Sequence, residues 1–212
     1  MPHGSRMTLE RWFALMKAWG FDQNEATFFD LTAAYSEKGR YYHTAEHVSA
    51  CLQHLARFGA RLDAPRELET ALWFHDAVYE PFSSNNEQAS ADWAASFLTE
   101  NGAPNEALAS VHRLILLTKH DALTFTRDEA AMVDIDLSIL GADPATYDAF
   151  EKAVRKEYAL VPTFIFRRKR AEVLRGFLER SRIYTSGLFG EGLEEQARDN
   201  LSKALAHIED RA

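Results

Sequence analysis

Residues 65–79 run Pro65-Arg66-Glu67-Leu68-Glu69-Thr70-Ala71-Leu72-Trp73-Phe74-His75-Asp76-Ala77-Val78-Tyr79. Proline suits the first turn of a helix, where its missing N–H loses no hydrogen bond. Leu68, Leu72 and Trp73 then recur at helical spacing, with Val78 continuing the stripe, and no period-two alternation suggests a strand. The stretch therefore reads as a helix with an apolar side turned to a core. Its end breaks the pattern, because His75-Asp76 interrupts the apolar run. A carboxylate buried without a partner is expensive. Either the pair faces solvent at a helix end, or a cation offsets the cost, and these residues alone leave both readings open.

Helical spacing extends in both directions. Leu9, Trp12, Leu15, Met16 and Trp19 form one stripe that Gly20 ends. A second helix is predicted from Asn24 to Lys38, and a third from Thr44 to Gly59 with Val48, Cys51, Leu52 and Leu55 inward. Beyond the Pro81–Asn86 loop, Ser84 with Glu87 has the capping-box pattern and predicts a helix to Asn101. Others follow Pro104 and Thr126, the latter with Glu129 as a capping box and ending at Gly141. Asp143-Pro144 opens a helix to about Leu160, Pro162 one to about Arg182, and Leu193 the last, to about Glu209. Residues 1–7 read as an unstructured tail with Met7 as the native start, which sets His3 aside. Residues 8–212 then form one all-α domain, a single bundle of about nine or ten helices.

The composition narrows the function. Of 212 residues 46% are hydrophobic, which excludes a wholly disordered chain. Lys+Arg is 24 against Asp+Glu 32, a net charge of -8, the wrong sign for a nucleic-acid binder. Cys51 is the single cysteine, so neither a disulfide framework nor a thiolate-rich metal site can form. It also fits a reducing compartment, and a cytoplasmic location is expected. No apolar run is long enough to cross a bilayer. Eight histidines remain as the feature to follow, since imidazole is both a metal ligand and a proton carrier near neutrality.

Histidines and acids recur at four places. In Tyr41-Tyr42-His43-Thr44-Ala45-Glu46-His47 the two histidines stand at i and i+4, on one helix face if the helix includes His43. The second place is His75-Asp76. In Asp134-Ile135-Asp136-Leu137-Ser138-Ile139-Leu140-Gly141 the two aspartates point about 200° apart on a helix. One is therefore expected to face a site, and the other solvent or the site's surroundings. Leu116-Leu117-Thr118-Lys119-His120-Asp121 closes an apolar helix with polar residues, which also suits a plain basic helix C-terminus. Imidazoles and carboxylates on separate helices make a suitable donor set for a borderline-to-hard divalent ion.

In this order and on an all-helical chain, His…His-Asp…Asp resembles the HD-domain superfamily of metal-dependent phosphohydrolases. More closely, the chain is similar to a bacterial group of uncharacterised predicted HD phosphohydrolases. The likeness rests on Tyr42-His43-x-x-x-His47, Trp73-Phe74-His75-Asp76-x-Val78-Tyr79 and Asn86-Glu87-x-x-Ser90-Ala91. It continues through Asp134-x-Asp136-Leu137-x-Ile139-Leu140-Gly141 and Val154-Arg155-x-Glu157-Tyr158. Arg170-x-x-Val173-Leu174-x-x-Phe177-Leu178 and Ile183-Tyr184 extend it over nearly the whole chain after Met7.

The resemblance implies metal ligation by His75, Asp76 and Asp136. The general superfamily pattern would make His43 the first ligand. The Tyr-His-x-x-x-His pattern of cyclic-nucleotide phosphodiesterases would instead make His47 the ligand and His43 the general acid. His47 is preferred. Asp76 would also orient the nucleophile. Glu87 and His120 are implied for water activation or the surroundings of a second metal, with Glu87 an alternative to His43 for the proton transfer and His120 counted among the substrate-binding residues. Arg155 and Arg170 match the pattern and are expected to bind phosphate. Arg167, Arg168 and Lys169 read as a solvated run, and Lys169 stands where relatives would have glycine. Tyr42, Trp73, Phe74 and Tyr79 are core or base-stacking rings. The expected cofactor is a divalent ion (Mn, Mg, Fe, Co, Ni or Zn), and the expected partner a small phosphorylated substrate, a nucleotide or related metabolite. No nucleic-acid or membrane partner is expected. The rival readings are a di-iron oxygenase of the same fold and a nonenzymatic nucleotide or metal sensor.

Overall fold

The computed structural model describes residues 6–210; the expectations for His3 and most of the tail fall on residues outside this range. Met7 is held, its backbone N–H donating to Ser49 Oγ at 3.1 Å and its side chain packing on the core.

Ten α-helices follow: α1 (Leu9–Trp19), α2 (Glu25–Ala34), α3 (Ala45–Phe58), α4 (Pro65–Phe74), α5 (Asn86–Glu100), α6 (Asn105–Leu116), α7 (Arg127–Asp136), α8 (Pro144–Glu157), α9 (Thr163–Leu178) and α10 (Glu191–Glu209). Short 3-10 turns sit at Gly59–Arg61, Leu117–Lys119 and Leu137–Gly141, and there is no strand among the described residues. The all-α bundle expected from the periodicity is the architecture observed.

Several starts are held by the predicted caps. Thr126 Oγ1 accepts from Glu129 N, and Asp143 Oδ1 accepts from the Ala145 and Thr146 amides. The capping box predicted at Ser84 does not form. The helix begins two residues later, at Asn86, whose side-chain amide both donates to and accepts from the Glu80 backbone.

The predicted helix ends overran, and the cause is mostly tertiary. Arginine side chains, one local and two remote, take carbonyls just beyond the helix ends. The α4 helix ends at Phe74 instead of continuing to Val78, and Arg40 Nη1 and Nη2 fix the turn that follows by donating to the Asp76 and Ala77 carbonyls, 2.6 and 2.8 Å away. Arg155 donates to the Tyr158 and Val161 carbonyls beyond α8. Arg198 takes those of Leu178, Arg180 and Ser181 beyond α9. The α2 helix stops at Ala34, and residues 35–40 wind into tight turns that deliver Arg40 to its place.

Two hydrophobic clusters result. One joins α1 to α6 with part of α7, and the other joins the end of α7 and its 3-10 turn to α8, α9 and α10. Gly141 serves the second cluster, because a Cβ there would lie 2.7 Å from the Leu193 carbonyl oxygen. Trp73 and Phe74 are fully buried in the first cluster, as core residues. The candidate site lies at the seam: α3 and α4 come from one cluster, while the end of α7 reaches into the other.

Candidate metal centre and its cavity

The 3.6-residue repeat of α3 puts His47 one turn N-terminal to Cys51, on the buried face. At the end of α4, His75 caps the helix and Asp76 enters the turn that Arg40 holds. The last residue of α7 is Asp136. These elements bring His47 Nε2 to 3.1 Å from His75 Nε2 and 3.0 Å from Asp136 Oδ1. Asp76 Oδ2 lies 3.1 Å from His75 Nε2 and 3.6 Å from His47 Nε2. His75 Nε2 and Asp136 Oδ1 are 3.6 Å apart.

These spacings test the fit of an ion. Donors bound to one first-row cation at about 2.1 Å stand roughly 3.0–3.4 Å apart in octahedral or tetrahedral arrangements. The observed edges bracket that range. One donor atom each from His47, His75 and Asp136 lies within 4.8 Å of the others, so this group can hold a metal ion. The tautomer of His75 fits too. Its Nδ1 stands 3.0 Å from the Leu72 carbonyl, which can only accept, so Nδ1 carries a proton and Nε2 faces the group, where its lone pair would serve an ion that displaces a proton from it.

Charge follows from burial. Burial opposes a proton on His75, but Asp76 and Asp136 outweigh it and raise its pKa well above the ordinary value. Burial likewise opposes the charge of Asp76 and Asp136, yet the surrounding histidines hold both carboxyls below their usual range. Without an ion, a proton is the counter-charge.

His43 has a different place from His47. Its Nδ1 is 2.8 Å from Glu157 Oε2, and its ring stacks on Tyr79 with centroids 4.1 Å apart. Glu157 Oε1 also accepts from the backbone N–H groups of Tyr41, Tyr42 and His43, and Oε2 from the Tyr79 hydroxyl. This fully buried carboxylate fixes the whole turn before α3. Burial would raise its pKa, but the bonds from His43 and the backbone bring it down to about 2. His43 is also pulled two ways, burial lowering its pKa and Asp76 and Glu157 raising it, with the net effect upward.

The centre opens into a cavity of about 790 Å³ at the seam, lined by His43, Asp76, Glu87, His120 and Asp136 among others. Glu87 stands in the first turn of α5 on its wall. His120 Nε2 is 3.0 Å from Asp136 Oδ2, so His120 orients the carboxylate from the side opposite His47. It does so from a left-handed backbone at φ 61, uncommon for a residue other than glycine.

The two arginines expected to bind phosphate are otherwise engaged. Arg155 does not line the cavity; its guanidinium holds the carbonyls beyond α8 and lies 4.7 Å over the Phe166 ring. Arg170 is on the wall, but its fork grips Glu151 at 3.1 and 2.6 Å. The cations of the wall that sequence reasoning passed over are Lys119 and Arg180, beside His120. Asp134 faces neither solvent nor the centre. It is fully buried and accepts from the Thr185 and Ser186 backbone and the Ser186 hydroxyl, which anchors the loop before α10.

Arg40 and Glu157 are the functional residues that sequence reasoning missed. The signal for Glu157 was its place beside Arg155 in the quoted pattern; for Arg40 there was none. No helix among the described residues is long and apolar enough to cross a membrane. Comparison with protein-family models, curated proteins and solved structures finds no match to this chain.

Proposed function

We propose that the protein is a metal-dependent phosphohydrolase acting on a small phosphoester, with a divalent ion held by His47, His75, Asp76 and Asp136. The observation that carries the reading is the meeting of His47, His75 and Asp136 within 4.8 Å of one another on the floor of a large cavity, with Asp76 Oδ2 at 3.1 and 3.6 Å from the two imidazoles. Their order along the chain is also that of the HD superfamily it resembles. Such an ion supplies Lewis acidity, lowering the pKa of water and drawing charge from a phosphoryl oxygen.

The chain's own groups supply the rest. Asp76, on the cavity wall, accepts a hydrogen bond from the attacking water and aims it at phosphorus. Against the opposing effect of burial, neighbouring carboxylates raise the pKa of His43 and so favour its protonated form. With Nδ1 fixed on Glu157, its Nε2 is the atom that delivers this proton to the leaving oxygen as the P–O bond breaks. Lys119 and Arg180 attract the phosphate, and the apolar walls keep bulk water from the reacting group.

The test is metal analysis of the purified chain, then a phosphatase and phosphodiesterase screen with each candidate ion restored. Turnover that depends on the ion is expected, and Asp76→Ala should abolish both metal binding and turnover. Metal content and activity that both survive the substitution would overturn the assignment.

A further inference from the structure

One face of α9 forms a wall of the cavity, with Lys169, Val173, Gly176 and Phe177 recurring along it and Arg180 just beyond its end. Gly176 is anomalous on that face. Its φ is not in the positive range, and a Cβ placed there would meet no atom within 4 Å. Neither backbone conformation nor close packing requires glycine, although a glycine inside a helix costs about 1 kcal/mol relative to alanine. The missing side chain leaves a slot in the wall. Beside it Val173 is a large apolar side chain left exposed to the cavity.

The polar side chains of the lining point to what fills the slot. Ser83 Oγ accepts from Asn85 N, the Asn86 amide clasps the Glu80 backbone, and Thr118 Oγ1 donates to the Ile115 carbonyl. Each neutral amide and aliphatic hydroxyl of the lining thus has part of its hydrogen-bonding capacity taken by local backbone. A nucleobase entering there would find few neutral side-chain partners for its edge, and each edge group left unpaired would be costly. Glu87, the one wall carboxylate outside the floor, would repel a second phosphate. Two buried polar atoms without a partner, Tyr42 Oη and His120 Nδ1, belong to residues that line the cavity. The wall itself extends roughly 16 Å along the helix axis from Phe166 to Phe177.

We infer that the organic part of the substrate is an extended apolar body lying along α9 across Gly176, with the phosphoryl group on the floor. The site then selects phosphoesters of apolar alcohols over nucleotides, and Gly176 is a specificity-determining residue. The inference rests on the phosphohydrolase reading above.

Calorimetry on the Mn(II)-loaded chain tests it with three non-reacting probes: inorganic phosphate, decylphosphonate and the phosphonate analogue of adenosine monophosphate. Decylphosphonate should bind at least about tenfold tighter than the adenosine phosphonate, given the value of each buried methylene. Gly176→Trp should weaken decylphosphonate by about tenfold or more and leave inorganic phosphate within about twofold. Gly176→Leu serves if the tryptophan variant does not fold, and Gly176→Ala should melt no lower than the parent. Equal or tighter binding of the adenosine phosphonate, or unchanged decylphosphonate affinity in the blocked variants, would overturn the inference. Failure of all three probes, inorganic phosphate included, would remove the phosphohydrolase reading first.

Discussion

Glu157 carries more of the site than its distance from the metal group suggests. One carboxylate satisfies three backbone N–H groups, the His43 ring and the Tyr79 hydroxyl. Its folded pKa of about 2 lies below the ordinary 4.5. The stability it contributes is therefore fully present above pH 4.5 and is lost as pH falls toward 2, and the shift corresponds to about 3 kcal/mol. Glu157→Gln should destabilise the protein at neutral pH by an amount of that order, with the difference from the parent shrinking in acid melts. The same change removes a carboxylate that favours charged His43. If His43 is the proton donor, the alkaline limb of the pH–rate profile should move to lower pH in Glu157→Gln. An unmoved limb would mean that His43 does not deliver the proton.

At the scale of elements, helices here start on local signals, while α4 and α9 are followed by turns that remote residues hold. Thr126 and Asp143 cap the turns that follow them, which any reading of spacing can find. The helix ends depend on Arg40, Arg155 and Arg198, whose guanidiniums collect carbonyls from beyond the helices. Those at α4 are pulled from an arginine that lies before α3. The close approach of the 3-10 turn after α7 to α10 is equally non-local. Gly141→Ala would force its Cβ into the Leu193 backbone, and a loss of about 1–3 kcal/mol is expected in denaturant unfolding. The 3-10 turn begins right after Asp136, so metal affinity should fall with stability in that variant. Asp134 and Asp136 show the same division: helical geometry separates their directions, but the loop residues Thr185 and Ser186 decide which one is taken away from the centre.

For the whole molecule, the His47, His75 and Asp136 group, which can hold an ion, lies at the seam between two hydrophobic clusters, so ion binding and folding should be linked. An ion at about one hundred times its dissociation constant adds about 2.7 kcal/mol, which for a domain of this size raises Tm by roughly 5–10 °C. The pH dependence has opposite signs with and without the ion. The folded pKa values of His43 and His75 lie above the ordinary 6.5, so the stability they contribute is present below that pH and lost as pH rises through the raised values. Metal binding displaces the same proton from His75 and tightens over that range. Scanning calorimetry should show the metal-free Tm falling with rising pH while the Mn(II)-induced gain in Tm grows. A gain that shrinks as pH rises would contradict ligation through His75 Nε2.

What the amino-acid order determined by itself is short-ranged: an all-helical chain, the helix starts, the apolar faces, and histidines and aspartates set into apolar helices. These follow from the 3.6-residue repeat and from caps that act within one turn. The tertiary structure decided that His47 and not His43 joins the group, that Glu157 meets a turn 114 residues away, and that Arg155 and Arg170 spend their charge on a helix end and on Glu151. A guanidinium or a carboxylate is satisfied by whichever partner packing brings within hydrogen-bond reach, and that choice is made between helices rather than along them.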